Sequence, residues 1–415
     1  MTSLRKNIFF STILTAANYV FPLLTYPYVS RVLGVSNIGV CNFVDSIVNY
    51  FSILSMLGFS TVGIREISRC RSDRDKLKET FSKLFTLNTI TTAIAVIALI
   101  ISIYLVPKLY ANKELMWIGV LKLISTYLTI DWLYKGLEEF KYITNRTILV
   151  KLLYVASVFI FIRSEHDTGI YYLLLTLMIA VNALINIIHS RKYIHFHIDV
   201  HNVSPLLKEV LTFGIYGILL SLYTTFNTVY LGFSCGDVQV GYYATGHKIF
   251  KIILSVFTAV TGVMMPRLSS LLSENRYAEF RRLLKKSLRL LLIFFTPVSV
   301  GIMIFAPEII QIIAGPQYEG AIAPLRIMSP LILLIGIEQI IIIQGLTPMK
   351  QDKAILLSSI AGAVTGISLN ILLVSKYGAT GSAIAWFASE CVVATFSSIF
   401  FFKNLRKTRL NQETV

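Results

Sequence analysis

The stretch LFTLNTITTAIAVIALIISIYLV (residues 84–106) runs for 23 residues without a charged side chain. A helix needs about 20 apolar residues to cross the hydrocarbon core of a bilayer, so this stretch predicts a transmembrane helix. The whole chain has a similar character, because 55% of its 415 residues are hydrophobic and only 14% are charged. Soluble proteins carry about 25% charged residues, so the composition excludes a soluble enzyme, and its hydrophobicity excludes a disordered chain.

Eleven further apolar stretches accompany this one, and together they predict twelve transmembrane helices in an all-α, multi-pass membrane protein. The twelve predicted spans cover residues 8–30, 38–62, 84–106, 115–134, 148–162, 170–190, 209–232, 242–265, 290–306, 324–346, 354–375 and 382–402.

The basic residues predict how the chain is oriented. Lys and Arg number 38 against 22 Asp and Glu, a net charge of +16. With a cytoplasmic N-terminus, 29 of the 38 cations fall in predicted cytoplasmic segments, among them residues 135–151, and only 4 fall within spans. The positive-inside rule therefore places both termini in the cytoplasm. The most basic segments, 64–83 and 267–289, are predicted to lie on anionic lipid, and no nucleic-acid-binding module accompanies them.

The two halves of the sequence resemble each other. Gly39 and Arg65 are matched by Gly241 and Arg267, 202 residues later in each case. Further matches follow in order, at offsets of 204, 207 and 212: Leu121–Ser125 with Leu325–Ser329, Ile148–Leu149 with Ile355–Leu356, and Thr168–Gly169 with Thr380–Gly381. This pattern predicts a duplicated six-helix unit, with both copies in the same orientation because six is even.

The predicted domains follow from this duplication. Residues 1–190 form an N-terminal six-helix bundle, 191–208 a polar cytoplasmic linker, 209–402 a pseudo-symmetric C-terminal bundle and 403–415 a cytoplasmic tail.

Four cations lie within predicted spans, and each must face a cavity or a partner. Exposed to lipid, Lys122, Lys248, Lys251 and Arg326 would together oppose insertion by on the order of 10 kcal/mol. His247, Lys248 and Lys251 share one face of the eighth span because they are three and four residues apart.

Asp45 occupies the position in the second span that corresponds to His247 in the repeat. Two interpretations of this acid remain open. It contributes to ion coupling, or it forms a fixed structural pair with Lys248 or Lys251.

Glu338 and Glu390 are the other acids predicted to be buried in spans. A carboxyl group in such surroundings exchanges a proton when its access changes, which suits ion coupling. The alternative is a structural glutamate that is hydrogen-bonded to Gln339 or Ser389. Sodium coupling remains equally open. The four cysteines have no paired spacing, so no metal site, disulfide or cofactor is expected.

Several motifs carry a resemblance to a known family. These are LTYPYVSRVLGV at residues 24–35, followed by Gly39, Gly58 and Gly63–Ile67, and in the second half Val240–Ala244 and Pro266–Arg267. With them the chain resembles bacterial polysaccharide flippases of the O-antigen type, in the multidrug/oligosaccharidyl-lipid/polysaccharide exporter superfamily. The resemblance covers essentially the whole chain.

The resemblance implies a V-shaped pair of bundles like that of the multidrug (MATE) transporters. It also implies a flippase in the bacterial inner membrane that moves undecaprenyl-diphosphate-linked oligosaccharide to the outer leaflet, for O-antigen, capsule or exopolysaccharide. We expect no enzymatic activity and a proton or sodium gradient as the driving force. A polymerase and a chain-length regulator of the same pathway are the implied partners.

A cationic lumen is then expected to compensate the substrate's diphosphate or acidic sugars. Its predicted residues are Arg31, Lys122, His247, Lys248, Lys251 and Arg326. Asp45, Glu338 and Glu390 are the predicted ion-coupling residues or charge partners. A multidrug antiporter of the same superfamily is the alternative function. A membrane polysaccharide polymerase is a weaker alternative, since the longest outside loop, near residues 307–323, contains no His, Lys or Arg.

Overall fold

The computed structural model describes residues 4–194, 204–274 and 276–413, and within these ranges it is helical, without a β-strand. The chain divides into two compact units, Met1–Ser221 and Leu222–Val415. Half of the predicted linker, residues 195–203, lies outside the described residues, as do residues 414 and 415 at the end of the predicted tail.

The helices of the first unit are numbered in chain order. They are α1 (Leu4–Met56), α2 (Phe59–Cys70), α3 (Arg74–Leu105), α4 (Pro107–Ala111), α5 (Lys113–Leu128), α6 (Asp131–Gly136), α7 (Phe140–Phe161) and α8 (Thr168–Ser190), followed by α9 (Ser204–Thr224), which ends in the second unit. A short 3₁₀ turn, Glu165–Asp167, precedes α8.

The second unit continues the numbering. Its helices are α10 (Phe226–Cys235), α11 (Asp237–Ser273), α12 (Tyr277–Ile304), α13 (Ala306–Ile313), α14 (Ile322–Met328), α15 (Leu331–Ile341) and α16 (Asp352–Glu413). A 3₁₀ turn, Pro316–Ala321, precedes α14, and a π-helical turn, Ile342–Leu346, follows α15.

The long apolar helices confirm a multi-pass membrane protein. Within the described residues, seven helices are long and apolar enough to cross a membrane, or eight if the bent pair Pro316–Met328 and Leu331–Leu346 is one span. Two of the seven segments, Phe9–Cys70 and Asp352–Leu405, extend over 62 and 54 residues. Because about 20 residues suffice to cross, each of these accommodates two crossings. The predicted seventh and eighth spans fall on α9 to α11, so the helices are consistent with twelve spans.

Glycines with positive φ angles mark the bends between paired spans. Gly34 interrupts α1 with φ 76° and ψ 169°, and Gly236 separates α10 from α11 with φ 83° and ψ −179°. Only glycine adopts this backbone region without strain. The two residues are 202 residues apart, which is the offset of the sequence repeat. The same turn geometry at equivalent positions supports the duplication.

The first and fifth spans of the first unit are parallel and packed in register. Three hydrogen bonds join them at a constant offset of 134 residues: Thr144 to the Phe10 carbonyl (2.9 Å), Lys151 to the Ala17 carbonyl (3.2 Å) and Tyr28 to the Ile162 carbonyl (2.6 Å). The corresponding helices of the second unit, α10 and α16, are joined by Asn370, which donates to Asn227 (2.7 Å). Both units therefore pair the same two spans.

Candidate functional site

In the first unit, Asp45 lies on the second half of α1 and is paired with Lys122 of α5 in an ion pair. Tyr172 of α8 donates a hydrogen bond to the same carboxylate oxygen (3.2 Å). The Lys122 ammonium also lies 5.8 Å from the centre of the Tyr172 ring. The cation that pairs with Asp45 is therefore Lys122 of the same unit. The sequence analysis did not identify this partner. Lys122, predicted to bind substrate, is engaged by this acid.

Lys151 is a buried cation that sequence reasoning missed. The predicted cytoplasmic segment, residues 135–151, included Lys151, although it overlaps the start of the predicted fifth span at residue 148. Because α7 begins at Phe140, Lys151 lies eleven residues inside the helix rather than in a cytoplasmic segment. At about 1.5 Å per residue this is roughly 16 Å from the helix start, near the middle of a hydrocarbon core about 30 Å thick. Its ammonium donates to the side chain of Asn18 (2.7 Å).

A second missed cation, Arg146, lies in the same helix, five residues nearer its start than Lys151. Its guanidinium approaches Asp131 at 3.3 Å, and the same carboxylate oxygen accepts a hydrogen bond from Asn186 (3.1 Å). Arg146 is buried, with 7% of its surface exposed. The hydropathy of residues 140–147 was lowered by this charge, and for that reason the predicted span began too late.

In the second unit, α11 presents the predicted basic cluster. The His247 ring stacks on Tyr243, with centroids 5.8 Å apart, and meets the ring of Trp386 from α16 edge to face at 5.1 Å. Lys251 is exposed, and no carboxylate of the described residues forms an ion pair with it. We call His247, Lys248 and Lys251 the cationic face of α11.

Glu338 of α15 and Glu390 of α16 come together in the second unit, although 52 residues separate them in sequence. Their carboxyl groups lie within hydrogen-bonding reach of each other, and both residues are buried, at 6% and 5% exposed. Glu390 also accepts a hydrogen bond from the indole nitrogen of Trp386 (2.8 Å). We call Glu338 and Glu390 the carboxyl pair.

The predicted alternative partners of these acids are wrong. The side chain of Gln339 bonds to Thr258 (2.9 Å) and Thr261 (3.0 Å) of α11. Ser389 donates instead to the Gly362 carbonyl (2.7 Å) within α16. Neither residue holds an acid, so the two glutamates face each other because α15 and α16 pack together.

The two remaining predicted cations lie at the surface of their units. Arg31 is exposed in α1, three residues before the bend at Gly34. Arg326 is exposed in α14, and its guanidinium donates to the Met303 carbonyl of α12 (3.2 Å). Arg326 corresponds to Lys122 in the repeat, but its partner is a backbone carbonyl instead of a carboxylate.

Among the residues that the structure describes, no group of three His, Cys, Asp or Glu side chains could hold a metal ion.

Comparisons with known proteins identify relatives of this chain. The sequence profile of the family described as polysaccharide biosynthesis protein matches residues 4–272, and that of the MatE family matches residues 213–372. An O-antigen transporter of Escherichia coli (strain K12) is 28% identical over 405 residues, covering 97% of both chains. A homologous O-antigen transporter of Shigella dysenteriae is 26% identical over 401 residues, covering 95% of this chain and 98% of its own.

Solved structures show the same fold. The lipid II flippase MurJ in an inward closed conformation has a TM-score of 0.75 and 16% identity, with 97% of this chain and 90% of MurJ covered. A multidrug resistance MATE family transporter in an inward-facing conformation has a TM-score of 0.74 and 14% identity, with 94% of each chain covered. The MATE-like fold class predicted from the sequence is confirmed. The chain therefore belongs to the polysaccharide biosynthesis protein family.

Proposed function

We propose that this chain is a flippase that carries undecaprenyl-diphosphate-linked oligosaccharide from the cytoplasmic to the outer leaflet of the bacterial inner membrane. The observation that carries the proposal is the cationic face of α11, where Lys251 is accessible and has no carboxylate partner in the described structure. A diphosphate that leaves water needs counter-charges, since burying an uncompensated anion is costly. The cationic face supplies such charges within a membrane-spanning helix.

The names of the relatives support this class of substrate. Besides the two O-antigen transporters, a low-salt glycan biosynthesis flippase of Haloferax volcanii is 22% identical over 182 residues, covering 43% of this chain and 38% of its own. The proposed orientation, with both termini in the cytoplasm, rests on the cations of the predicted cytoplasmic segments, which number 27 once Arg146 and Lys151, buried in α7, are left out of the 29. A polymerase and a chain-length regulator that use the product are proposed partners.

Proton coupling is the proposed energy source, and the carboxyl pair is its proposed site. Two buried carboxyl groups side by side repel each other when both are ionised, so a proton shared between them would stabilise the pair and could be exchanged. Sodium would need several oxygen ligands. An export rate that depends on sodium at constant pH would mean that sodium, and not the proton, is the coupling ion.

A multidrug antiporter is the second candidate, favoured by the TM-score of 0.74 to the MATE family transporter. The cationic face argues against it, because like charges repel the organic cations that such antiporters export.

Isolation of lipid-linked sugars from cells that lack the protein tests the proposal. We expect a lipid-diphosphate-linked oligosaccharide to accumulate on the cytoplasmic side, with a mass that identifies the repeat unit, and drug sensitivity to remain unchanged. Normal amounts of repeat unit on the outer leaflet together with increased drug sensitivity would instead establish the antiporter.

A variant pair tests the site itself. Lys251→Ala is expected to abolish export with the protein still inserted in the membrane. The control is Lys353→Ala, an exposed lysine in the first turn of α16, which is expected to leave export unchanged.

A further inference from the structure

Trp386 contacts two groups of residues that the sequence analysis predicted separately. Its indole N–H donates to Glu390 of the carboxyl pair (2.8 Å), and its ring meets His247 of the cationic face at 5.1 Å with an interplanar angle of 75°. Only 6% of Trp386 is exposed. The indole is therefore the physical connection between the carboxyl pair and the cationic face.

The packing around Trp386 transmits a displacement of the ring to α11. Phe250, one turn beyond His247, meets the indole at 5.1 Å and 83°. On its other side His247 stacks on Tyr243, whose hydroxyl accepts a hydrogen bond from Asn227 (3.0 Å). Because buried side chains are close-packed, the indole cannot shift without moving His247 or Phe250.

The number of protons on the carboxyl pair decides how firmly Trp386 is held. One buried oxygen, Oε1 of Glu338, has no hydrogen-bond donor among the described residues, and a proton shared between the two carboxyl groups supplies one. With a single shared proton, Glu390 remains an anionic acceptor for the indole. A hydrogen bond to an ionised acceptor is about twice as strong as a neutral one, so a second proton loosens the hold on Trp386.

We infer that Trp386 is a positioning residue that makes proton binding at the carboxyl pair compete with anion binding at the cationic face of α11. The inference rests on the proposed function, in which the anion is the diphosphate of the lipid-linked substrate. A singly protonated pair holds Trp386, and Trp386 holds His247 in the arrangement that binds the anion. A second proton releases both rings and weakens anion binding.

Other charged and titratable groups surround this chain of contacts. They are Tyr243, His247, Lys248 and Lys251 on α11, Glu338 on α15, and Cys391 beside Glu390 on α16.

Direct electrostatics among these groups predicts the opposite coupling. An anion that binds at Lys251 neutralises positive charge, which would draw protons towards both His247 and the carboxyl pair. Competition through Trp386 instead requires that anion binding expels a proton, since coupling between two binding sites is reciprocal. The sign of the proton exchange therefore separates positional coupling from simple attraction.

The experiment measures protons released or taken up when the purified full-length protein binds farnesyl diphosphate in detergent, in weak buffer with a pH indicator. We expect the wild-type protein to release protons, and its affinity for the probe to fall at least about fivefold between pH 8 and pH 5.5. The probe's diphosphate also carries a proton near pH 6 and can lose it on binding, so the comparison between proteins is the test. Trp386→Phe and Glu390→Gln should each release fewer protons per bound probe than the wild type, or take protons up.

Trp117→Phe is the matched control, because Trp117 of α5 is 45% exposed and should release protons like the wild type. Proton uptake by the wild type, or undiminished release by Trp386→Phe, would overturn the role of Trp386. If the probe does not bind to the wild type at all, the proposed anion site fails, and this inference fails with it.

A second measurement does not depend on the folding of Trp386→Phe. The tryptophan emission of Trp117→Phe is compared with that of the double variant Trp117→Phe/Glu390→Gln, and the difference between the two reports on Trp386. This difference should change on acidification and on addition of probe. Identical emission from both proteins under all these conditions would contradict the inference.

Discussion

The two units share one arrangement of helices but use their charges differently. In the first unit each buried or half-buried charge in a span has a partner: Asp45 with Lys122, Asp131 with Arg146, and Lys151 with Asn18. In the second unit the acids Glu338 and Glu390 face each other, and Lys251 is exposed without a carboxylate. In the first unit these charges are therefore paired with each other or with an amide side chain. The second unit has two adjacent acids and, among the described residues, a lysine without a carboxylate, which are the groups that the proposed proton and anion would neutralise.

Equivalent positions of the repeat make the contrast clear. Asp45 corresponds to His247, and Lys122 corresponds to Arg326. The first unit has an ion pair at these positions, whereas in the second unit an aromatic contact to Trp386 and a hydrogen bond to a backbone carbonyl replace it. The two units therefore share the backbone at these positions but differ in their side chains, and only the first has an ion pair there.

The largest expected effect comes from removing the charge of the carboxyl pair. Glu390→Gln should lower the export rate at least about tenfold, or about 1.4 kcal/mol in the barrier, because the pair can no longer take up and release a proton. Quantifying glycan at the cell surface against protein in the membrane measures this. Glu308→Gln, an exposed acid of α13, is the control and should export normally. If both Glu390→Gln and Glu338→Gln exported at the wild-type rate, the carboxyl pair would not distinguish the function of the second unit from that of the first.

Reversing the ion pair of the first unit tests whether it is structural. Asp45→Ala or Lys122→Ala alone should destabilise the protein by up to about 1 kcal/mol, as expected for a partly exposed pair. The swap Asp45→Lys with Lys122→Asp should recover most of this stability and of export. Thermal unfolding in detergent, with parallel export assays, checks the outcome. A swap that is stable but inactive would mean that Lys122 acts on the substrate itself.

Alanine at the two equivalent glycines tests the shared backbone. Gly34→Ala and Gly236→Ala should each cost about 1–2 kcal/mol, since both positions have positive φ angles. The cost should be similar in the two units, as judged by thermal unfolding. Gly169→Ala is the control, because a methyl group there meets no atom within 4 Å and its φ angle is not positive. A large difference between the first two variants would argue against equivalent turns.

The smallest expected effect concerns the start of α3, where Asp73 caps the helix. Its carboxylate accepts from the backbone N–H groups of Lys76 and Asp75, both at 3.2 Å, and the Lys76 N–H in particular lowers the pKa of Asp73. The pKa of Asp73 is thus lower in the folded protein than in the unfolded protein. The stabilisation by the cap is fully present at pH values above the unfolded pKa, and it is lost as the pH falls through the folded pKa.

Thermal unfolding between pH 5 and pH 3 should therefore show a slightly smaller loss of stability for Asp73→Asn than for the wild type. The second unit has Arg276 at the corresponding place before α12, without a side-chain cap. Arg276 instead pairs with Glu274 (2.8 Å) and Glu279 (2.6 Å), so Arg276→Ser exchanges two exposed ion pairs for a hydroxyl cap and should leave the stability nearly unchanged. An equal response of Asp73→Asn and wild type to acid would contradict the role of the Asp73 charge.

Local patterns were sufficient for much of the fold. Apolar stretches of about 20 residues predict spans because the bilayer core imposes that length, and the recurrence of Gly39 and Arg65 at an offset of 202 predicts the duplication. The same local reasoning failed at the fifth span. Arg146 and Lys151 lower the hydropathy there, yet both are buried because α1 and Asp131 supply their partners.

Partners far apart in sequence could not be predicted in this way. Lys122 is 77 residues from Asp45, and the two meet only because α5 packs against α1. Glu338 and Glu390 were each predicted as candidate coupling residues, but not as a pair. Trp386 carried no signal at all, since a tryptophan in a span is usually a packing residue.

The sequence by itself determined that this chain crosses the membrane many times, that its two halves repeat a pattern of residues, and most of the few ionisable residues that lie in its spans. Composition and repetition suffice for this, because the bilayer restricts backbone structure to helices and penalises every stray charge. Only the tertiary structure decided which charges neutralise each other and which remain available. That outcome depends on side-chain distances between helices, and those distances are set by packing rather than by any local pattern of residues.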